Sequence, residues 1–173
     1  MTIATHITLE KYLKTIYEPD ADYIDGEIEE RNVGEYDHNT VLMALLLWFH
    51  RNAKQWNIRV VQEQRTRMSP TRVRIPDVSV FLRDLPIEQV FTRPQLIAIE
   101  VLSPEDRHAK MQRRIADYIA FQIPHVWIVD PRERIGWDCG HGNWTRKKRF
   151  EIAGTPIYLS LDELFRELDA SEA

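Results

Sequence analysis

The fold is decided by two stretches of the chain, Arg74-Ile-Pro-Asp-Val-Ser-Val-Phe-Leu82 and Pro94-Gln-Leu-Ile-Ala-Ile-Glu-Val-Leu102. Both are rich in apolar and β-branched residues, as is typical of strands in a sheet covered by helices. Each also contains a carboxylate, Asp77 or Glu100. A carboxylate in a buried strand is costly unless it is paired or holds a cation. The two stretches therefore predict an α/β fold with a polar site in its sheet.

The spacing of the two carboxylates favours a shared metal. The 23 positions from Asp77 to Glu100 allow one strand, a polar turn and a return strand alongside. Oxygen ligands of this kind suit Mg²⁺ or Mn²⁺, and such a metal can promote hydrolysis of phosphodiesters. The structural alternative is that one or both carboxylates pair with a neighbouring arginine such as Arg74.

An ordered set of motifs resembles a known family. The set consists of Tyr23-Ile-Asp-Gly-Glu27, His38, Pro76-Asp-Val-Ser-Val80, Glu100-Val-Leu-Ser-Pro104 and Val126-Trp-Ile-Val-Asp-Pro131. It is similar to the Uma group of the PD-(D/E)XK restriction-endonuclease-like superfamily over residues 10–140. The resemblance implies a restriction-endonuclease-like αβββαβ core, with a mixed central sheet flanked by helices and added hairpins. It also implies a homodimer that cuts DNA.

The resemblance assigns roles to the residues of the two stretches. Asp77 and Glu100 would hold the metal, assisted by the main-chain carbonyl of Val101. The superfamily expects a lysine two residues after the glutamate, but that position is Leu102.

A basic residue on the following helix is the replacement that the subgroup implies. The subgroup places lysine four residues before a tyrosine, and counting back from Tyr118 gives Arg114. Lys110 lies one turn earlier on the same helical face. An arginine stabilises charge on a phosphate but cannot act as a base. The alternative is that Arg114 is a solvated position in a basic run.

The resemblance also places Glu27 and His38 at the pocket. Glu27 would complete the catalytic set, as a metal ligand or by orienting the site. A glutamate beside a turn is otherwise exposed, and a histidine at a helix start often forms only local hydrogen bonds.

Length and composition fit one ordinary domain over residues 1–173. The chain has 43% hydrophobic and 29% charged residues and a net charge of −4. Its single cysteine, Cys139, excludes an internal disulfide framework and a cysteine-based zinc site. The amino terminus lacks the pattern of a signal peptide, and no apolar run is long enough to span a bilayer. We expect a cytoplasmic protein without a membrane segment.

Two basic stretches could steer DNA towards the site. Arg65, Arg67, Arg72 and Arg74 precede Asp77, and residues 146–149 form the second stretch. The alternative is that both are solvated faces balanced by acids. Trp137 and Trp144 flank the turn of the last predicted hairpin, where an exposed pair could stack on bases or, as we prefer, form a dimer contact.

Periodicity and turn signals predict the order of elements. Helices are expected at residues 8–15, at 38–56 with a cap at Asp37 or Asn39, and from Ser103 to about residue 121. Strands are expected at residues 58–66, 75–82, 95–102 and 126–129, with hairpins at 23–30 and 134–150. A short segment at residues 155–158 and an apolar one at residues 161–168 finish the chain.

Three functions are compatible with these features. The first is an Mg²⁺- or Mn²⁺-dependent endonuclease acting on DNA. The second is a catalytically weakened nuclease fold that binds DNA or a protein partner, favoured by the loss of lysine at position 102. The third is a metal-dependent hydrolase of small molecules. Metal binding separates the first from the second, and nucleic-acid binding separates the first from the third.

Overall fold

The computed structural model describes residues 6–32, 34–104, 106 and 108–172. It contains the helices α1 (Leu9–Leu13), α2 (Tyr36–Asn52), α3 (His108–Ala120) and α4 (Leu161–Glu172). The strands are β1 (Ala21–Ile24), β2 (Glu27–Glu30), β3 (Ile58–Gln62), β4 (Thr66–Ser69), β5 (Arg72–Arg74), β6 (Val78–Leu82), β7 (Ile97–Val101), β8 (His125–Asp130), β9 (Ile135–Asp138), β10 (Thr145–Lys147), β11 (Arg149–Glu151) and β12 (Tyr158–Ser160). None of the helices in these ranges is long and apolar enough to cross a membrane.

The central sheet has six strands in the order β10-β9-β8-β7-β6-β3. The β7–β8 pair is parallel and the other pairs are antiparallel, so the sheet is mixed. In chain order, with β4 and β5 inserted between β3 and β6, elements α2, β3, β6, β7, α3 and β8 form the predicted αβββαβ core. The predicted mixed α/β fold is thereby confirmed.

Helices cover both faces of this sheet, which is why β7 is buried along its whole length. Alternate residues of β7, such as Ile97 and Ile99, pack with the apolar side of α2. Ala98 between them packs with Met111 and Ile115 of α3. Because side chains alternate along a strand, Glu100 lies on the α3 face.

A smaller antiparallel sheet has the order β2-β1-β5-β4. The β1–β2 turn contains Asp25 and Gly26, both with positive φ, which is the conformation that an Asp-Gly hairpin turn favours. This sheet packs with α1 around Tyr12, Tyr23 and Val73, and Met68 of β4 also packs against the cluster under α3.

The chain passes from the smaller sheet to the central sheet between β5 and β6. Residues 75–77 make this connection, and all three are buried. Asp77 therefore lies at the junction of the two sheets, immediately before β6. The irregular backbone at the junction leaves its side chain available to residues from both sheets.

Several predicted boundaries were wrong. The helix expected from Ser103 begins at His108, and Ser103 instead donates from its main-chain N–H to the carboxylate of Asp106. Of that predicted helix start, residues 105 and 107 lie outside the described ranges. The N-cap of α2 is Glu35, without a side-chain hydrogen bond, rather than Asp37 or Asn39, and α2 ends at Asn52.

The strand predicted at residues 58–66 is also wrong, because it ends at Gln62. The next strand, β4, begins at Thr66 and belongs to the smaller sheet. Between them, Glu63 has a positive φ of 48°, so the chain turns where continuous strand was expected. Local residue types do not reveal a change of sheet.

Candidate active site

The two predicted carboxylates line one small cavity at the sheet junction. Glu100 comes from the central strand β7 and Asp77 from the segment before β6. Both are almost fully buried, with 1% and 3% of their surface exposed. The free space between the lining groups is about 20 Å³, which is room for roughly one water molecule or ion.

Asp77 is hydrogen-bonded through both carboxylate oxygens. The Arg31 guanidinium donates to Oδ1, and the main-chain N–H of Val101 donates to Oδ2 over 2.8 Å. His38 Nε2 lies 3.4 Å from Oδ2. Burial acts to raise the pKa of Asp77, but the His38 hydrogen bond and the charge of Arg31 outweigh it and hold the pKa below its usual value. Asp77 is therefore ionised at neutral pH.

Within the described part of the chain, the hydrogen bonds to the Glu100 carboxylate come from α3. Arg114 Nη1 donates to its Oε2 over 2.8 Å, and the Tyr118 hydroxyl donates to Oε1. Burial raises the pKa of Glu100 to about 7, opposed by Arg114 and reinforced by the charge of Asp77. Ionisation of Glu100 would place a second negative charge in the cavity and is therefore costly at neutral pH. A bound cation would favour the ionised form.

A largely buried group of charges lies next to the cavity and contacts its residue Arg114. This Arg74 cluster consists of Arg74, Asp22, Glu29 and Asp117. Arg74 contacts the three carboxylates over 2.7–2.9 Å. Asp22 also accepts a hydrogen bond from Arg114 Nη2 over 3.1 Å. The cluster therefore fixes Arg114 from the side opposite Glu100.

The alternative interpretation paired Arg74 with Asp77 or Glu100, but the structure pairs Arg74 with other acids. Arg74 pairs with its own cluster, whereas Asp77 pairs with Arg31 and Glu100 pairs with Arg114. Both carboxylates are thus paired with arginines, but neither with the one that the sequence suggested.

The basic residues predicted on α3 reach the cavity. Arg114 is buried, with 7% of its surface exposed, so it is not a solvated position. Lys110, one turn earlier, also lines the cavity, and its Nζ donates to the main-chain carbonyl of Glu30 over 2.6 Å. Val101 lines the cavity too, where its N–H binds Asp77. A ligand role for its carbonyl remains a prediction.

Glu27 is placed differently from His38. His38 lines the cavity beside Asp77, whereas Glu27 is exposed on β2 and is not among the lining residues. The structure therefore does not bring Glu27 to the two carboxylates. Glu29, which shares its face of the strand, contacts Arg74 instead.

Sequence reasoning missed four residues that complete the site. Arg31 binds Asp77, Tyr118 binds Glu100, and Asn32 donates to Asp106 at the edge of the cavity. Tyr118 had a signal, because it lies four residues after Arg114 on the same helical face. Arg31 had none, since it follows a short strand and lies 46 positions from Asp77.

The predicted basic approach to the site is largely neutralised. Arg72 pairs with Asp25 and Asp117, and Arg74 is buried in its cluster. In the second stretch, Lys147 pairs with Asp138 and Lys148 with Asp162. These contacts favour the interpretation that acids balance both stretches.

Trp137 and Trp144 lie together, with ring centroids 6.2 Å apart. Both are half-buried and pack against the apolar cluster under α3, and Trp144 also contacts His108. Part of each ring is therefore exposed, and the dimer contact or stacking on bases stays a prediction.

The cavity fits a hard divalent cation by ligand chemistry. Mg²⁺ commonly uses one or two carboxylates and completes its shell with water, and Asp77 and Glu100 supply two. Within the described ranges, no group of three His, Cys, Asp or Glu is arranged for a metal. A cation here would depend on these two carboxylates and would have to compete with Arg31 and Arg114 for their oxygens.

Comparison with known proteins agrees with this architecture. The fold is similar to a crystal structure described as a "putative nuclease belonging to DUF820" from Anabaena variabilis ATCC 29413. The two chains are 23% identical, with a TM-score of 0.77, and the match covers 94% of this chain and 99% of the other. No curated protein matches the chain. The model of the Uma2 family, described as "Putative restriction endonuclease", matches residues 9–137. The chain therefore belongs to the Uma2 family.

Proposed function

We propose that the protein is a metal-dependent endonuclease that hydrolyses DNA phosphodiester bonds. The observation that carries the proposal is the convergence of two buried carboxylates and two basic residues, Arg114 and Lys110, on one small cavity. Acidic groups for a cation and basic groups for a phosphate are the two parts that phosphodiester hydrolysis requires. Membership of the family described as "Putative restriction endonuclease" supports the same reaction class.

Asp77 and Glu100 would hold Mg²⁺ or Mn²⁺, with the Val101 carbonyl as a third ligand. The chemistry that the cation supplies when bound is a lower pKa of water and neutralisation of charge on the phosphate. Asp77 is suited to this role because it is ionised at neutral pH. Glu100 would lose its proton when its carboxylate binds the cation.

Arg114 would stabilise the phosphate as water attacks phosphorus in line with the leaving oxygen. Its two contacts with Glu100 and Asp22 fix its guanidinium, and its pKa is raised well above the usual value, so it stays charged. Its Nε is buried without a partner among the described residues, which leaves one donor for a ligand or water. Lys110 would add a second positive charge. Many nucleases with this core cut both strands of a duplex by pairing two sites, so the proposal includes a homodimer.

One observation favours a second candidate function. All four carboxylate oxygens of Asp77 and Glu100 already accept hydrogen bonds, and Leu102 occupies the usual position of the lysine. A site of this kind could be stable without a cation. The alternative is a nuclease fold that binds DNA or a protein partner without cutting.

Cleavage of supercoiled plasmid with Mg²⁺ or Mn²⁺ tests the proposal. The matched variants are Asp77→Asn and Glu100→Gln, which keep side-chain size and remove charge. The control is Asp138→Asn, which removes a carboxylate paired with Lys147 outside the cavity. We expect metal-dependent nicking that both site variants reduce at least about a hundredfold and the control does not.

Two outcomes would count against the proposal. Nicking that survives in both site variants would show that another site, or a contaminant, cuts the plasmid. A folded wild-type protein that binds DNA but never cuts it with either metal would favour the binding module.

A further inference from the structure

Arg31 is the cation of the cavity that sequence reasoning did not find. It follows β2, in the smaller sheet, and only 9% of its side chain is exposed. Its Nη2 donates to Asp77 Oδ1, and its Nη1 lies 3.3 Å from Glu63 Oε1. Glu63 is 43% exposed. Arg31 thus spans from a buried carboxylate of the site to an acceptor at the surface.

The surroundings of Arg31 differ from those of Arg114. Arg114 pairs with Glu100 and Asp22, both almost without exposure, and is held by the packing of α3. Among the described residues, Arg31 has one buried partner, Asp77, and one solvated partner, Glu63. A solvated ion pair contributes little, so the Asp77 contact is the main interaction that fixes the Arg31 guanidinium.

Space for a different position of Arg31 lies next to the site. A second cavity, of about 170 Å³, is lined by Arg31, Asp77, His38 and Glu63, among others. The cavity between Asp77 and Glu100 holds only about 20 Å³. A divalent cation and the Arg31 guanidinium cannot both bind Asp77 there without strong repulsion between like charges.

We infer that Arg31 is a displaceable counter-charge and a phosphate-binding residue. Without a metal it neutralises Asp77. When a cation is bound, Arg31 releases Asp77, turns into the larger cavity and donates to a phosphate oxygen of the substrate. The inference rests on the proposed function and adds a residue to its machinery.

The test compares Mn²⁺ affinity and turnover in matched arginine variants. Arg31→Met keeps an unbranched side chain and removes the charge, and Arg31→Lys keeps the charge. The control is Arg59→Met, which removes an arginine that donates to main-chain carbonyls at Leu85 and Arg83. Free Mn²⁺ is measured by electron paramagnetic resonance at constant ionic strength, and circular dichroism checks folding.

We expect two changes of opposite sign. Arg31→Met should bind Mn²⁺ at least about tenfold more tightly than wild type, because Asp77 no longer has a competing cation. The same variant should cleave DNA at least about tenfold more slowly at saturating Mn²⁺, because a phosphate contact is lost. Arg31→Lys should lie nearer to wild type in both measurements, and Arg59→Met should match wild type.

The outcomes separate this inference from the proposed function. Suppose that folded Arg31→Met cleaves DNA at the wild-type rate and binds Mn²⁺ no more tightly than wild type. This result would overturn the role of Arg31 and leave the nuclease proposal standing. Tight Mn²⁺ binding in Arg31→Met with no cleavage by wild type would support the counter-charge and overturn the nuclease. Absence of Mn²⁺ binding in both proteins would overturn the inference.

Discussion

The Arg74 cluster and the cavity beside it contain the same kinds of side chain in different arrangements. In the cluster, one arginine is enclosed by Asp22, Glu29 and Asp117, and its contacts use all sides of the guanidinium. In the cavity, Asp77 and Glu100 each have a separate arginine and face a common space. Burial of charges therefore does not itself identify a site. The distinguishing features are the shared space and the raised pKa of Glu100.

The largest effect that separates the two regions is expected from Arg74→Met. This change leaves Asp22 and Asp117 buried without their main counter-charge, and breaking a buried ion pair costs about 3–5 kcal/mol. Urea unfolding of the metal-free protein measures the loss.

Arg72→Met is the matched control, because Arg72 lies on the same strand and also pairs with Asp117. Arg72 is 39% exposed, so the expected loss is below about 1 kcal/mol. Equal losses in the two variants would show that burial of Arg74 does not determine its contribution.

The second effect is expected in the pH dependence of stability, measured in EDTA. The pKa of Glu100 is about 7 in the folded protein and about 4.3 in the unfolded chain. The folded state therefore binds the extra proton between these values, and stability falls as pH rises through this window. The two values differ by about 2.7 pKa units, so at about 1.4 kcal/mol per unit the fall is about 4 kcal/mol.

Glu100→Gln should remove this slope. Urea unfolding between pH 4 and pH 8 gives the free energy of unfolding of both proteins. The difference between the two values cancels contributions that both proteins share, such as that of His38. Parallel curves would contradict the raised pKa of Glu100.

The smallest effect is expected from Tyr118→Phe. Tyr118 donates to Glu100 and thereby lowers the pKa of that carboxyl. Loss of the hydroxyl should raise the pKa of Glu100 further and cost about 1–2 kcal/mol, because one carboxylate oxygen loses its donor. The expected result is an upward shift in the upper limit of the pH window. A downward shift would mean that Tyr118 stabilises the protonated form.

The carboxylates and the helical basic residues could be predicted because local patterns carry them. Asp77 and Glu100 interrupt apolar stretches, and Lys110 and Arg114 follow a 3.6-residue period that places them on one face of α3. The core order of elements was predictable for the same reason. Each strand and helix carries its own periodicity.

Arg31 and the Arg74 cluster could not be predicted because they depend on how the two sheets meet. Arg31 and Asp77 are 46 positions apart, and Arg74 and Asp117 are 43 apart. No local pattern specifies which arginine meets which acid over such separations. The exposure of Glu27 depends likewise on its position along β2, because Glu29 on the same face contacts Arg74 whereas Glu27 is exposed.

The segment at residues 75–77 places the site at the connection between the two sheets. It joins the smaller sheet, which has its own apolar cluster, to the central sheet. Asp22 comes from the smaller sheet, Arg31 follows its strand β2, and Glu100 comes from the central sheet. The ion pairs Arg31–Asp77 and Asp22–Arg114 therefore connect the part of the chain around the smaller sheet to the segment before β6 and to α3. A ligand that rearranges these ion pairs would change the stability of the contact between the two sheets, although its site is a space of only about 20 Å³.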